Sequence, residues 1–179
     1  LLGWAIVAAG RAPLVPLWDH ALWHRWLVNL VMPLAIALTV FGTFAANPFA
    51  FEGRAAGFDP AHPGIAGLTR QPLLWALALW SGAHLVANGD LAHLILFGPF
   101  LILALIGMAM IETRRRRAMG LAEWQRLTAR TSRLPFAALL RGRWRPQAWP
   151  NLGRLGLTLM VWAGLWSLHA PVIGATPAP

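Results

Sequence analysis

The strongest constraint in this sequence lies in residues 67–117, where two apolar runs are joined by a three-residue polar break. The first run, residues 73–87, is interrupted by Ser81 and His84; Asn88-Gly89-Asp90 follows, and the second run, residues 91–111, ends in Glu112-Thr113 and four consecutive arginines, Arg114 to Arg117. An apolar segment of about 20 residues without polar alternation is long enough to cross a bilayer as a helix. Inside hydrocarbon the helix also satisfies its own backbone amides. A short run of 15 residues and a full one of 21, with arginine at both outer ends (Arg70 before the first, Arg114 after the second), predict a transmembrane helical hairpin whose turn is Asn88-Gly89-Asp90.

The remainder of the chain extends this pattern. Residues 1–10 read as the end of an apolar helix, a partial span stopped by Arg11 and the prolines at 13 and 16; the start at Leu1, with no charged leader, reads as a truncation inside a helix. Residues 17–25 form an aromatic connector with Asp19, His20 and His24. Residues 26–46 are a full span containing Pro33, residues 49–69 a Gly/Pro-rich loop too polar to cross, and residues 152–168 a last span followed by a disordered small-residue tail. Between the hairpin and that span lies a basic segment, residues 114–150, in which Leu121, Trp124 and Leu127 make the apolar stripe of a surface helix expected over residues 121–130. The whole is expected to be one all-α, polytopic transmembrane domain with a basic cytoplasmic segment.

Sidedness follows from the arginines. With no lysine in the chain, the 15 basic residues are all arginine. Placing Arg114–Arg117 in the cytoplasm puts every arginine except Arg11 and Arg25 on that side, the asymmetry expected of an inner-membrane protein. The net charge of +9 is therefore assigned to topology and to anionic headgroups. No nucleic-acid partner is expected, because no RNA-binding pattern accompanies the cluster from Arg130 to Arg145. With 58% hydrophobic and 12% charged residues, against about 25% charged in soluble domains, there is too little polar surface for a water-soluble fold. Cysteine is absent, which excludes disulfides, thiolate metal sites and a cysteine nucleophile. Tryptophans 18, 23, 26, 75, 149 and 166 fall near expected helix ends, as interfacial anchors do.

His84 is the first candidate for chemistry, because an ionisable group inside a span is costly to keep. Three readings stand side by side: an interhelical hydrogen bond, an axial ligand to haem iron or another metal, and proton handling. Asn88-Gly89-Asp90 reads as a helix C-cap followed by an Asp90 N-cap, from which Asp90 also reaches His93. Arg70 is an interfacial anchor or a recogniser of phosphate or carboxylate. Glu112, at the membrane edge, pairs with Arg70 across the hairpin mouth or with a cofactor amine. Gly98, Ala104, Gly107 and Gly164 offer small-residue faces for helix packing. No hydrolase elbow, P-loop, dinucleotide turn or zinc-protease helix is present.

Several stretches resemble one family. Gly67-Leu68-Thr69-Arg70-Gln71-Pro72, the run from Leu79-Trp80-Ser81 through His84 to Asn88-Gly89-Asp90-Leu91-Ala92, Leu96-Phe97-Gly98, Gly120-Leu121-Ala122-Glu123-Trp124 and Pro135-Phe136 are similar to the signature of NnrU proteins. The resemblance implies a multi-pass inner-membrane protein, associated in some bacteria with expression of the nitrite and nitric oxide reductases of denitrification. It further implies kinship with a plant-type ζ-carotene isomerase that uses haem b, and more distantly with membrane methyltransferases of the isoprenylcysteine and phospholipid type. On that resemblance His84 matches the histidine of the isomerase-like hairpin, the other expected histidine lying in a first helix outside this chain. The methyltransferases carry Arg-His-Pro where this chain has Arg70-Gln71-Pro72, and a Glu pair where Glu112 stands alone, which points away from S-adenosylmethionine. The leading expectation is a haem-dependent cis–trans isomerase-like protein acting on a carotenoid or other apolar lipid, with His84 on the iron. The alternatives are a non-catalytic subunit or assembly factor of a larger membrane complex and, third, a methyltransferase using Arg70 and Glu112.

Overall fold

The computed structural model describes all residues from Leu1 to Pro179. It is built from helices alone: α1 (Leu2–Arg11), α2 (Leu22–Gly42), α3 (Ile65–Leu68), α4 (Pro72–Asn88), α5 (Leu91–Met119), α6 (Leu121–Thr128), α7 (Ala137–Leu140) and α8 (Leu152–Ile173). Pairing outside them is limited to two isolated bridges, Pro16 with Asp90 and Asn47 with Arg54. Three helices, α2, α5 and α8, are long and apolar enough to cross a membrane, and the protein is an all-α polytopic membrane protein. α4 is the central stave, packed between α2 and α5, while α8 lies against α2 and α1 against α5.

The hairpin forms as its sequence dictates. Pro72 opens α4, where its missing N–H is no loss. Gly89 closes it in the left-handed conformation at φ +65°. Asp90 then caps α5 by accepting the His93 N–H at 3.0 Å. Small residues let the two arms approach: Ala78 on α4 meets Ala104 and Met108 on α5, with Ala104 fully buried. A Cβ on Gly107 would lie 3.6 Å from Leu74, so Gly107 serves this same contact, whereas Gly164 has nothing within 4 Å.

Helix bounds depart from expectation in four places. α2 begins at Leu22, not residue 26, because the His24 ring accepts the Ala21 N–H at 3.3 Å and starts the helix early. It also stops early, at Gly42. A Cβ on Gly42 would stand 2.8 Å from Pro72, so glycine is what allows α2 to end against the start of α4. α5 does not stop at residue 111 but carries Arg114–Arg117 as two further helical turns, reaching Met119. Its 29 residues extend about 43 Å at 1.5 Å each, longer than the roughly 30 Å of hydrocarbon. α8 likewise continues past residue 168 to Ile173, with Pro171 inside its last turns.

The two ends of the bundle are finished by long-range hydrogen bonds that local sequence does not announce. At the hairpin tip, the connector after α1 lies antiparallel across the turn: Leu17 and Trp18 donate to the Gly89 carbonyl at 2.8 and 3.2 Å, and Leu91 donates to Val15 at 3.0 Å. The tail expected to be disordered is instead tied to α2, with Asn29 Nδ2 on the Pro177 carbonyl at 2.7 Å and Arg25 on that of Ala178 at 3.3 Å. At the opposite, arginine-rich end, Arg154 of α8 donates to Phe41 at the end of α2, 3.1 Å away. Three tryptophans expected at the lipid interface turn their N–H groups inward, Trp18 to Val86, Trp75 to Arg133 and Trp166 to the Asn29 side chain.

Candidate functional site

His84 projects from α4 one turn beyond Trp80. Its Nδ1 stands 2.8 Å from the Trp80 carbonyl. A carbonyl only accepts, so Nδ1 carries the proton and Nε2 retains its lone pair. Nε2 has no hydrogen-bond partner in the chain, nor is it sealed from the surroundings. The interhelical hydrogen bond weighed for His84 is therefore not made, since its one bond returns to its own helix. The ring is fixed from two sides, with the Trp80 and Phe97 centroids 5.7 and 5.2 Å away. Phe97 comes from α5 and is itself stacked on His93, at 6.1 Å with 17° between planes. His93 and His169 are the other imidazoles close enough to act on His84 electrostatically.

Trp80 has a second role that its sequence neighbourhood did not reveal. It forms part of the wall of an open-sided cleft of about 680 Å³ between α2, α4 and α8. Met32, Ile36 and Val40 line one side, Leu73 and Leu77 another, and Val161 and Leu165 the third. Such a volume lies within the range of small-molecule sites, roughly 300–1,000 Å³, and its lining suits an apolar occupant. The only sequence signal for this wall is Trp80 at i−4 from His84, which places both side chains on one face of α4.

Gln71 closes the cleft at the arginine-rich end, donating from Nε2 to the Phe49 carbonyl at 2.8 Å. Next to it, Arg70 and Glu112 form a two-pronged ion pair, Nε to Oε1 at 2.7 Å and NH2 to Oε2 at 3.1 Å. Each side chain is only 13% exposed. The guanidinium also donates to the Thr131 hydroxyl at 3.3 Å and lies over the Trp124 ring at 5.6 Å. Around the pair, Asn47 donates to the Arg70 carbonyl at 3.0 Å, Thr69 Oγ1 to Arg133 at 2.7 Å, and Arg70 N–H to Ser132 at 2.8 Å. Phe49, fully buried, meets Trp124 edge-on at 5.5 Å. The expected pairing across the hairpin mouth is thus formed, and Arg70 and Glu112 satisfy one another instead of presenting free charges to a cofactor.

At the tip, Asp90 reaches His93 with its other oxygen, 2.6 Å from Nδ1. The same carboxylate caps α5 and orients an imidazole, as the three-residue spacing predicts. No group of three or more histidine, aspartate or glutamate side chains is arranged to hold a metal ion.

No curated protein and no solved structure matched the chain. The family described as NnrU protein matches residues 1–177. With nearly the full chain covered, and the Trp80–His84–Asn88–Gly89–Asp90 run forming the hairpin at its centre, this protein belongs to the NnrU family.

Proposed function

We propose that this NnrU-family membrane protein binds haem b through His84 and acts as a cis–trans isomerase on an apolar polyene or lipid held in the cleft between α2, α4 and α8. The observation that carries the reading is the His84 ring: Nδ1 donates to the Trp80 carbonyl and Nε2 is left bare. Histidine ligands to metals are commonly held in this way, the second nitrogen bonded to a carbonyl that fixes the tautomer and orients the lone pair. His84 would hold the iron through Nε2. His93 is engaged with Asp90 and stacked on Phe97, whereas His169, the other imidazole near His84, likewise has Nδ1 on a carbonyl, that of Ala175 at 2.7 Å. Bound haem would supply iron able to polarise a polyene double bond.

The chain's own part is positioning and exclusion. Trp80 touches both the imidazole and the cleft, so an occupant of the cleft lies one aromatic ring from His84. The aliphatic lining keeps water from that occupant, while Gln71, bonded to Phe49, marks its polar limit. On this reading the protein resides in a bacterial inner membrane with its arginine-rich end in the cytoplasm, which the one-sided distribution of its arginines supports. The test is an absorption spectrum of the purified protein loaded with haem. A Soret band is expected in the wild type and in Leu77→Ala, and its loss in His84→Ala at unchanged helix content. No band at all, or the same band in His84→Ala, overturns the proposal.

A further inference from the structure

The segment after α6 folds back on the start of the hairpin and leaves a recess of about 270 Å³ between Ala61, Arg130 and the loop from Gly142 to Gln147. This loop is built rather than merely exposed. Arg143 and Trp144 both donate their N–H groups to the Ala138 carbonyl, at 2.9 and 3.2 Å. Gly142 takes φ +67° to allow the reversal. The Trp144 indole lies so close to Gly67 that a Cβ there would stand 2.3 Å from Nε1. Trp144 therefore pins the loop to the helical turn before Arg70, and its neighbours Arg143 and Arg145 line the recess. Arg130 is fixed on the third side by its bond to the Ala61 carbonyl, 3.1 Å.

Three guanidiniums converge here without a counter-charge. Every carboxylate at this end of the bundle is engaged elsewhere: Glu52 with Arg54, Asp59 with His62, Glu112 with Arg70, Glu123 with Arg126. Asp59, the one nearest to Ala61 in sequence, is held below the usual carboxylate range by its hydrogen bond to His62, and also accepts the Ala61 N–H at 2.8 Å. Neither Arg143 nor Arg145 makes any side-chain hydrogen bond or ion pair within the chain. Planar guanidiniums with free N–H forks match the oxygens of a phosphate. Exposed apolar side chains flank the recess in sequence, Leu140, Trp149 and Leu152 at 84%, 95% and 80%, and α8, apolar and long enough to cross a membrane, begins at Leu152; a spanning α8 puts the recess at headgroup level.

We propose that this recess is a phosphate-binding site occupied by the headgroup of an anionic lipid, with Arg130, Arg143 and Arg145 as its ligands. It is a defined site, separate from the diffuse attraction that any basic membrane face exerts, and it is independent of the haem reading. The test titrates the full chain, in neutral detergent, with a short-chain phosphatidylglycerol and separately with inorganic phosphate. Arg143→Gln/Arg145→Gln is compared with Arg116→Gln/Arg117→Gln, which removes the same charge from exposed positions on α5. The expected result is lipid binding weakened about a hundredfold in the first variant, the order of two lost charge-assisted bonds, little changed in the second, and weakened about tenfold in Arg130→Gln, the order of one. Equal losses in both double variants, or no lipid binding by the wild type, overturn the proposal. Binding of inorganic phosphate as tight as that of the lipid, and lost in the same variant, assigns the recess to a soluble phosphate and overturns the lipid.

Discussion

Glu112→Ala is expected to destabilise the protein by about 3–5 kcal/mol, the usual consequence of breaking one side of a buried ion pair. The Arg70 guanidinium, at 13% exposure, would keep its charge and lose both prongs of its carboxylate partner. The Thr131 hydroxyl and the Trp124 face remain, but neither carries a negative charge. Arg70→Ala should cost a similar amount, since it strands Glu112. Replacing both by apolar residues of similar size, as in Arg70→Met/Glu112→Leu, should recover much of the loss, because desolvation of the pair offsets most of its attraction. Unfolding of the wild type, the two alanine variants and Arg70→Ala/Glu112→Ala in mixed micelles measures the coupling as a double-mutant cycle. Single variants within about 1 kcal/mol of wild type would mean that the pair behaves as a solvated surface contact. The loss should also be felt in the cleft, whose polar limit, Gln71 bonded to Phe49, is the next residue along the chain.

The second large effect is expected at the hairpin tip. Gly89 sits at φ +65°, a conformation costing an L-residue roughly 1–2 kcal/mol and more for a β-branched one. A Cβ there would also stand 2.9 Å from the Trp18 carbonyl and from the Trp18 indole nitrogen. The carbonyl is backbone and its strand is hydrogen-bonded to Gly89 itself, so it has little room to retreat; forcing a close-packed contact adds about 1–3 kcal/mol. Gly89→Val should therefore lose about 2–5 kcal/mol from the two terms together. Limited proteolysis should show the connector over residues 12–21 released before the helices melt. Gly174→Val separates the two contributions. Gly174 is left-handed like Gly89, at φ +86°, but has nothing within 4 Å of its added Cβ, so only the conformational cost of about 1–2 kcal/mol should appear. Equal losses at the two glycines would mean that the connector is not seated on the tip.

What could be read from sequence was what is local. The hairpin, its proline start, its glycine stop, the Asp90 cap and the surface helix at Leu121–Thr128 all follow from residues within a few positions of one another. The Arg70–Glu112 pair spans 42 residues in the chain, yet it was legible because the two charges lie at comparable distances along the chain on either side of the Gly89 turn. The seal at each end of the bundle was not legible. Its bonds join Asn29 to Pro177, Trp18 to Val86 and Thr69 to Arg133, and no periodicity encodes such partners. The loop over residues 49–69, expected as a simple polar connection, holds one of the most deeply buried side chains in the molecule, Phe49. At the candidate site, His84 stood out by its cost in a bilayer. The cleft did not, because its lining residues are indistinguishable from lipid-facing ones until α2 and α8 are placed beside α4.

The shortness of α4 has a consequence for where water begins. Its 17 residues rise about 26 Å at 1.5 Å each, less than the roughly 30 Å of a hydrocarbon layer, while α5 overshoots the other surface. With the arginines anchored at headgroup level, the Gly89 turn falls short of the opposite headgroups. The connector strand meets it there, supplying the backbone partners that lipid cannot and carrying Asp19 and His20 down with it. The polar boundary on that side is thus drawn by protein, some ångströms inside the plane that lipid alone would set. His84, five residues before Gly89 and so about 7.5 Å along the helix, lies closer to an aqueous dielectric than its apolar neighbours in sequence imply.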